Sequence, residues 1–276
     1  MSDLFDINPN EKLMAFLVGP NGSGKSIAIG SWLDKGGSVY FFDYDGRMNS
    51  VSDWYMRRGL RRGQLLSDTY GPSNLYAALE KLDKFIDYCP HIAIAIDSFT
   101  AVTVSAVMGS LRNRTKSGTQ AKSKGELTIP DWDEWNAEAT YVTMLLDLCK
   151  TIAAKGIAVF WTGHPVQRMK IVGKTYSTQT KYAAFGMKSD SLVPIYFNEI
   201  WHFAVSYDLI EGRNKRVCFT EPEGEVNAKT ALNLPGQIEW TNGNFYQIFT
   251  DLVEKGRFKR EITENKEPKE PSEFTF

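Results

Sequence analysis

The sequence predicts an α/β fold, a mostly parallel sheet flanked by helices with antiparallel strands in the C-terminal third. Three observations predict it. Short runs that are apolar almost throughout, such as Leu13 to Val18 and Ile157 to Thr162, read as strands buried on both faces. Helical patterns separate these runs, as stacked βαβ units require. The last third carries short strand-like runs with no long helix between them. The expected organisation is one domain over residues 1–258, followed by a disordered charged tail over 259–276, where Glu and Lys alternate around two prolines.

Taken in order, Leu13 to Val18 is the first strand and Lys25 to Leu33 the helix after it. Ser38 to Asp43 is an aromatic-rich second strand. Ser73 to Tyr88 places Leu75, Leu79, Leu82, Phe85 and Ile86 on one helical face, started by Pro72-Ser73 and stopped by Cys89-Pro90. His91 to Ile96 is a buried strand ending at Asp97, and Thr100 to Leu111 is helical. The Gly/Ser/Lys-rich stretch Arg112 to Gly125 reads as a mobile loop. A long helix follows from Asp131 to about Ala154, with Glu134 placed as a capping partner. Beyond the strand Ile157 to Thr162, the segment from Pro165 to about Pro194 reads as irregular. Ile200 to Val205, Arg216 to Thr220 and Gln237 to Trp240 read as antiparallel strands, and Tyr246 to Lys255 as a short helix. The cluster Arg57, Arg58, Arg61, Arg62 reads as a solvated helix face.

The strongest motif is GPNGSGKS, Gly19, Pro20, Asn21, Gly22, Ser23, Gly24, Lys25 and Ser26, which matches G-x-x-x-x-G-K-[ST] in full between a strand and a helix. Its glycines let successive backbone N–H groups face phosphate oxygens, and the helix amino terminus adds a favourable dipole. Lys25 is placed to reach the β- and γ-phosphates and the Ser26 hydroxyl to ligate Mg²⁺. Asp97 closes the run IAIAI at the carboxyl edge of the sheet, where a carboxylate completes the Mg²⁺ shell through water and where an N-capping aspartate is the plainer alternative. Asp43 and Asp45 end the second strand. Asp45 lies further out and is the candidate to orient the attacking water, with a plain Asp-Gly turn as the alternative. His164, after the strand IAVFWT, is placed to sense the γ-phosphate, with a satisfied structural histidine as the alternative.

Composition bounds the rest. The 276 residues carry a net charge of −1, but the charge is segregated: Ser98 to Gly125 holds five basic residues and no acid, and Leu148 to Ser189 seven and none. Such windows suit a polyanion. Cys89, Cys149 and Cys218 read as buried free thiols, and the three dispersed histidines match no zinc spacing. No apolar run of 18 or more residues is present and the amino terminus has no signal-peptide core, so no membrane partner is expected and the location is cytoplasmic.

With these parts in order, residues 13 to about 235 resemble a RecA-type P-loop NTPase core, most of all the short phage recombinases that keep only the RecA ATPase core, a group overlapping the KaiC-like ATPases. FFDYD resembles the RecA segment whose acid, usually Glu, activates water. AIDSFTAV resembles its Walker B segment, and VFWTGH the strand ending in a γ-phosphate sensor. The resemblance implies ATP and Mg²⁺ as cofactors and catalytic roles for Lys25, Asp45 and His164. It also implies a basic residue reaching a neighbouring subunit's nucleotide, for which Lys229 in NAKTALNLP is the candidate. It places two DNA-binding loops at Arg112 to Gly125 (Arg112, Arg114, Lys116, Lys122, Lys124) and Pro165 to Asp190 (Arg168, Lys170, Lys174), where Tyr176, Tyr182 and Phe185 could stack on bases.

Asp at position 45 is one methylene shorter than the usual Glu, which implies slower hydrolysis, and there is no room for RecA's extra terminal domains. The implied function is a DNA-dependent ATPase that binds single-stranded DNA and promotes annealing or strand pairing in phage recombination, in the host cytoplasm. The implied partners are single-stranded DNA, further copies in a ring or filament, and a single-strand-binding protein at the tail ending Phe274 to Phe276. Two alternatives stand beside it: another RecA-like motor (a helicase or packaging ATPase), or a nucleotide-gated switch with little hydrolysis.

Overall fold

The computed structural model describes residues 12–59, 64–116, 132–172, 175–184, 191–209, 212–222, 228–241 and 244–264. An eight-stranded sheet forms the centre. Its strands are β1 (Met14–Val18), β2 (Val39–Asp43), β3 (Leu65–Thr69), β4 (Ala93–Asp97), β5 (Ala158–Gly163), β8 (Glu199–Asp208), β9 (Arg213–Phe219) and β10 (Gln237–Trp240), in the spatial order β10-β9-β8-β1-β5-β4-β2-β3. All neighbours are parallel except β8–β9 and β9–β10. A separate antiparallel ribbon pairs β6 (Pro165–Val172) with β7 (Thr175–Tyr182).

Period-two alternation divides the strand residues between two cores. Met14, Phe16, Val18, Phe42, Ile96 and Trp161 pack against α3 (Leu75–Asp87), α4 (Phe99–Lys116) and α5 (Trp132–Ala153). Leu13, Ala15, Leu17, Phe41, Phe160 and Phe203 face the opposite way. They meet α1 (Lys25–Gly30), its 3₁₀ continuation Ser31–Lys35, α2 (Met48–Met56) and the last helix, α6 (Phe245–Glu264). Covering both faces is what makes the central strands apolar at every position. Trp32, Phe245 and Phe249 seal the second core, and Ser31 Oγ accepts the Tyr246 N–H at 2.8 Å.

Several expectations are corrected. Within the segment after Pro165, residues 165–172 and 175–182 form the β6–β7 ribbon: their Val, Ile, Thr and Tyr residues favour extended backbone, although no apolar alternation announces it. Helix α4 continues through Lys116, because Leu, Arg and Lys are good helix formers and the Gly/Ser bias begins only afterwards. Arg112, Arg114 and Lys116 therefore lie on a helix, whereas Lys122 and Lys124 fall outside the described residues. Strand β8 pairs parallel with β1 and antiparallel only with β9. Helix α6 runs from Phe245 to Glu264, past the boundary expected at 258, and residues 265–276 lie outside the described residues. Strand β3 had no counterpart in the sequence reading, and helix α2 ends at Met56, so that Arg57 and Arg58 follow it in a turn and not on a helix face.

The three cysteines are unpaired, with Cys149 and Cys218 buried and Cys89 half-buried. Among the described residues no helix is long and apolar enough to cross a membrane. Arg58 stacks 4.1 Å over Trp54, and Arg61 and Arg62 lie outside the described residues.

Candidate nucleotide site

The loop Gly19 to Gly24 leaves β1 at the carboxyl edge of the sheet and is pinned there by the Gly19 N–H to the Gly163 carbonyl (3.2 Å). Gly22 and Gly24 take φ values of +77° and +97°, a region that side-chain-bearing residues avoid, so the loop can turn back on itself before α1 begins. Lys25 is buried, and its ammonium donates to the Gly19 carbonyl at 2.7 Å and the Pro20 carbonyl at 3.0 Å. Burial lowers its pKa to about 8, against the opposing pull of Asp97 and Asp45.

Asp97 ends β4 beneath the loop. Ser26 Oγ donates to its Oδ2 at 2.7 Å, and Thr162 Oγ1, from the end of β5, donates to its Oδ1 at 2.5 Å. Burial raises the Asp97 pKa, and the two hydroxyls oppose the shift. Thr162 was missed from sequence; its signal is a hydroxyl closing an otherwise apolar strand that lies between β1 and β4.

The two aspartates after β2 separate by role. Asp43 is buried and accepts the N–H groups of Gly46 (2.8 Å), Arg47 (3.2 Å) and Met48 (3.1 Å), so it closes the turn and caps α2. Asp45 is half-buried and faces a cavity of about 220 Å³ that it lines with Lys25, Ser26, Asp97, Arg47 and His164, while Ile27, Met48 and Val51 form an apolar side. Burial, with the Lys25 charge, pushes the His164 imidazole below its ordinary pKa, so it is neutral at pH 7. Its carbonyl accepts the Ala183 N–H (2.8 Å), and the Ala183 carbonyl accepts Thr100 Oγ1 (2.6 Å). Both ends of the β6–β7 ribbon are thus tied at the cavity rim.

These residues fit a magnesium nucleotide. A buried carboxylate bearing a hydroxyl donor, beside an ammonium resting on loop carbonyls, is a set of charges poised for a polyanion and a hard cation. Ser26 Oγ and, through water, Asp97 would hold Mg²⁺.

Lys229 does not line this cavity. It pairs in an antiparallel bridge with Ile200, and its ammonium donates to the carbonyls of Phe197 (3.1 Å) and Pro194 (3.5 Å) at the end of the helical turn Val193–Tyr196. Of the expected DNA contacts, Arg112 is exposed on α4. Arg114 instead pairs with Glu134 at 3.1 Å; Glu134 is buried, and Asp131, its expected capping partner, lies outside the described residues. Arg168 and Lys170 occupy alternate positions on β6, in register with Gln179 and Ser177, and Lys174 lies outside the described residues.

The Arg114–Glu134 pair joins the end of α4 to the start of α5, so the two helices form an antiparallel arm. The Ala153 carbonyl at the far end of α5 accepts the Lys12 N–H at the opposite edge of the sheet (3.1 Å). Tyr141 meets Tyr44 beside Asp45, hydroxyl to hydroxyl at 2.7 Å, and donates to the Leu75 carbonyl at 2.9 Å. Before Tyr141, α5 extends a further nine residues to Trp132, about 13 Å of helix at 1.5 Å per residue.

Comparison with models of known protein families and with curated proteins found no match for this chain.

Proposed function

We propose that the chain is a RecA-like P-loop ATPase that binds Mg-ATP, binds single-stranded DNA, and uses the first to control the second during annealing or strand pairing in phage recombination. The observation that carries the proposal is the convergence of Lys25, Ser26, Asp45, Asp97 and His164, from the ends of four separate segments, on one cavity at the carboxyl edge of a parallel sheet. Lys25 exchanges its two carbonyl partners for β- and γ-phosphate oxygens. Asp45 accepts the proton of the attacking water, and neutral His164 donates to a γ-phosphate oxygen. Bound Mg²⁺ supplies charge neutralisation at the phosphates. Loss of the γ-phosphate removes the His164 contact at the root of the β6–β7 ribbon, which gives nucleotide state a route to the DNA-binding face.

The DNA reading is supported by the placement of Arg112, Lys116, Arg168 and Lys170 on an arm and a ribbon that both leave the sheet at the cavity edge. Steady-state ATPase with and without single-stranded DNA tests the whole proposal. Stimulation by single strands, together with annealing of complementary strands, is the expected outcome. Turnover coupled to duplex unwinding would favour a motor, and stoichiometric ATP binding with no turnover a switch.

A further inference from the structure

On the flank of the phosphate loop away from β5, β9 carries a cation that the sequence reading did not single out. Arg216 pairs across to Trp240 on β10, and its guanidinium lies 5.4 Å over the indole ring. Its Nε is buried and has no hydrogen-bond partner. Among the described residues no carboxylate lies within ion-pair distance of it, although Lys215 on the other face of the same strand pairs with Glu239 at 3.8 Å. The stem of Arg216 rests directly on the phosphate loop. A methyl group at Gly24 would lie 2.8 Å from Arg216 Cδ and 2.9 Å from both Arg216 Nε and Trp240 Cη2, so only glycine fits there. Gly24 also lines the nucleotide cavity, and in the same loop Ser23 Oγ is buried without a partner.

A partly buried guanidinium resting over an aromatic ring, and given no ion pair by any described residue, is arranged for an anion from outside. Resting on the nucleotide reading above, we infer that Arg216 is a phosphate-binding residue of that site, reaching the loop from β9 and recognising the anionic phosphates of a nucleoside di- or triphosphate. Trp240 acts as the shelf that fixes the guanidinium plane. The cation sought in a neighbouring subunit is, on this view, supplied within the chain.

Arg216→Met keeps the stem against Gly24 and Trp240 and removes only the charge. Equilibrium titration with Mg-ATP, Mg-ADP and adenosine, at low and high salt, is the measurement, with Lys25→Ala as reference. The Met variant is expected to lose about tenfold in affinity for both phosphorylated ligands and nothing for adenosine, with the loss shrinking as salt screens the charge. Its melting temperature without nucleotide should equal or exceed that of the parent, because a partly buried cation with no ion pair among the described residues is removed. Arg216→Lys should fall between the two. A Met variant that binds Mg-ATP like the parent, while Lys25→Ala does not, overturns the inference and leaves the nucleotide reading standing. A Met variant that fails to fold overturns it too, since the residue would then be structural. A parent protein that binds none of the three ligands removes the nucleotide reading itself.

Discussion

The cavity and the arm leave the same edge of the sheet but are built on opposite terms. In the cavity the candidate reacting groups are short or restrained: Asp97 is held by two hydroxyls, Lys25 by two carbonyls, and Asp45 follows a turn that Asp43 fixes with three backbone bonds. In the arm and ribbon, Arg112 and Lys116 lie on one helix and Arg168 and Lys170 on one strand. Chemistry at a phosphorus centre loses rate when a group moves by an ångström. Neutralising a flexible polyanion depends on the number of cations far more than on their exact positions. The rigid region is therefore the place where single substitutions cut deepest.

The largest effect is expected at Asp45. Asp45→Asn should keep Mg-ATP affinity and lose on the order of 10²-fold in turnover, as removal of a general base does. Asp45→Glu, restoring the missing methylene, should recover turnover or raise it. Asp43→Asn should act mainly on stability, by about 1–2 kcal/mol, because it weakens the cap of α2. Steady-state rates and melting curves of the three variants check this. Loss of turnover at position 43 with rates intact at 45 would reverse the two roles.

Next in size is a pH effect confined to the cavity. Lys25 sits near pKa 8 in the free protein because burial disfavours its charge, and phosphate oxygens favour the charged form. Below pH 8 the ammonium is already present and affinity is at its maximum. As pH rises through 8, binding must take up a proton, so affinity should fall by about tenfold per pH unit until the pKa of the complex is reached. Titrations of Mg-ATP between pH 7 and 9.5 measure it, and a flat profile would show that Lys25 does not meet the phosphates. If the arm and ribbon bind single-stranded DNA, the contacts made by their arginines should be insensitive to pH over the same range.

The two regions also differ in how far the sequence disclosed them. The phosphate loop was legible because eight consecutive residues meet a local geometric demand between a strand and a helix. Asp97 was legible because it closes an apolar strand. Asp45 was legible in part: its place beyond the strand end favoured it over Asp43, but the turn geometry is what shows which carboxylate caps and which faces the cavity. Thr162 and Arg216 meet residues far apart in the chain, Thr162 on Asp97 of the neighbouring strand and Arg216 against Gly24 two strands away, and no local pattern encodes such pairings. The arm was misread because composition averages over a window. The Gly/Ser/Lys bias after Lys116 obscured a helix that continues through Arg112 and Arg114, and the Thr-rich ribbon lacked the apolar alternation that marks half-buried strands.

The smallest expected effect divides the arm itself. Arg114 and Arg112 are two residues apart on α4 and share a composition, yet Arg114 is paired with the buried Glu134 while Arg112 is exposed. If the arm meets single-stranded DNA, Arg112→Gln with Lys116→Gln removes two phosphate contacts. The log–log salt slope of binding should then fall by about 1.4, at about 0.7 per contact, and affinity should drop alike for every sequence. ATP binding at the phosphate loop should be unchanged. Arg114→Gln should leave the salt slope near that of the parent and lower stability instead. The loss should be about 1–3 kcal/mol, less than for a fully buried pair because a quarter of the Arg114 side chain is exposed. Salt-dependent titrations with a labelled single strand, paired with denaturant melts, separate the two outcomes. A double variant whose slope and affinity match the parent would remove α4 from the DNA interface and leave the β6–β7 ribbon, with Arg168 and Lys170, as the remaining candidate surface.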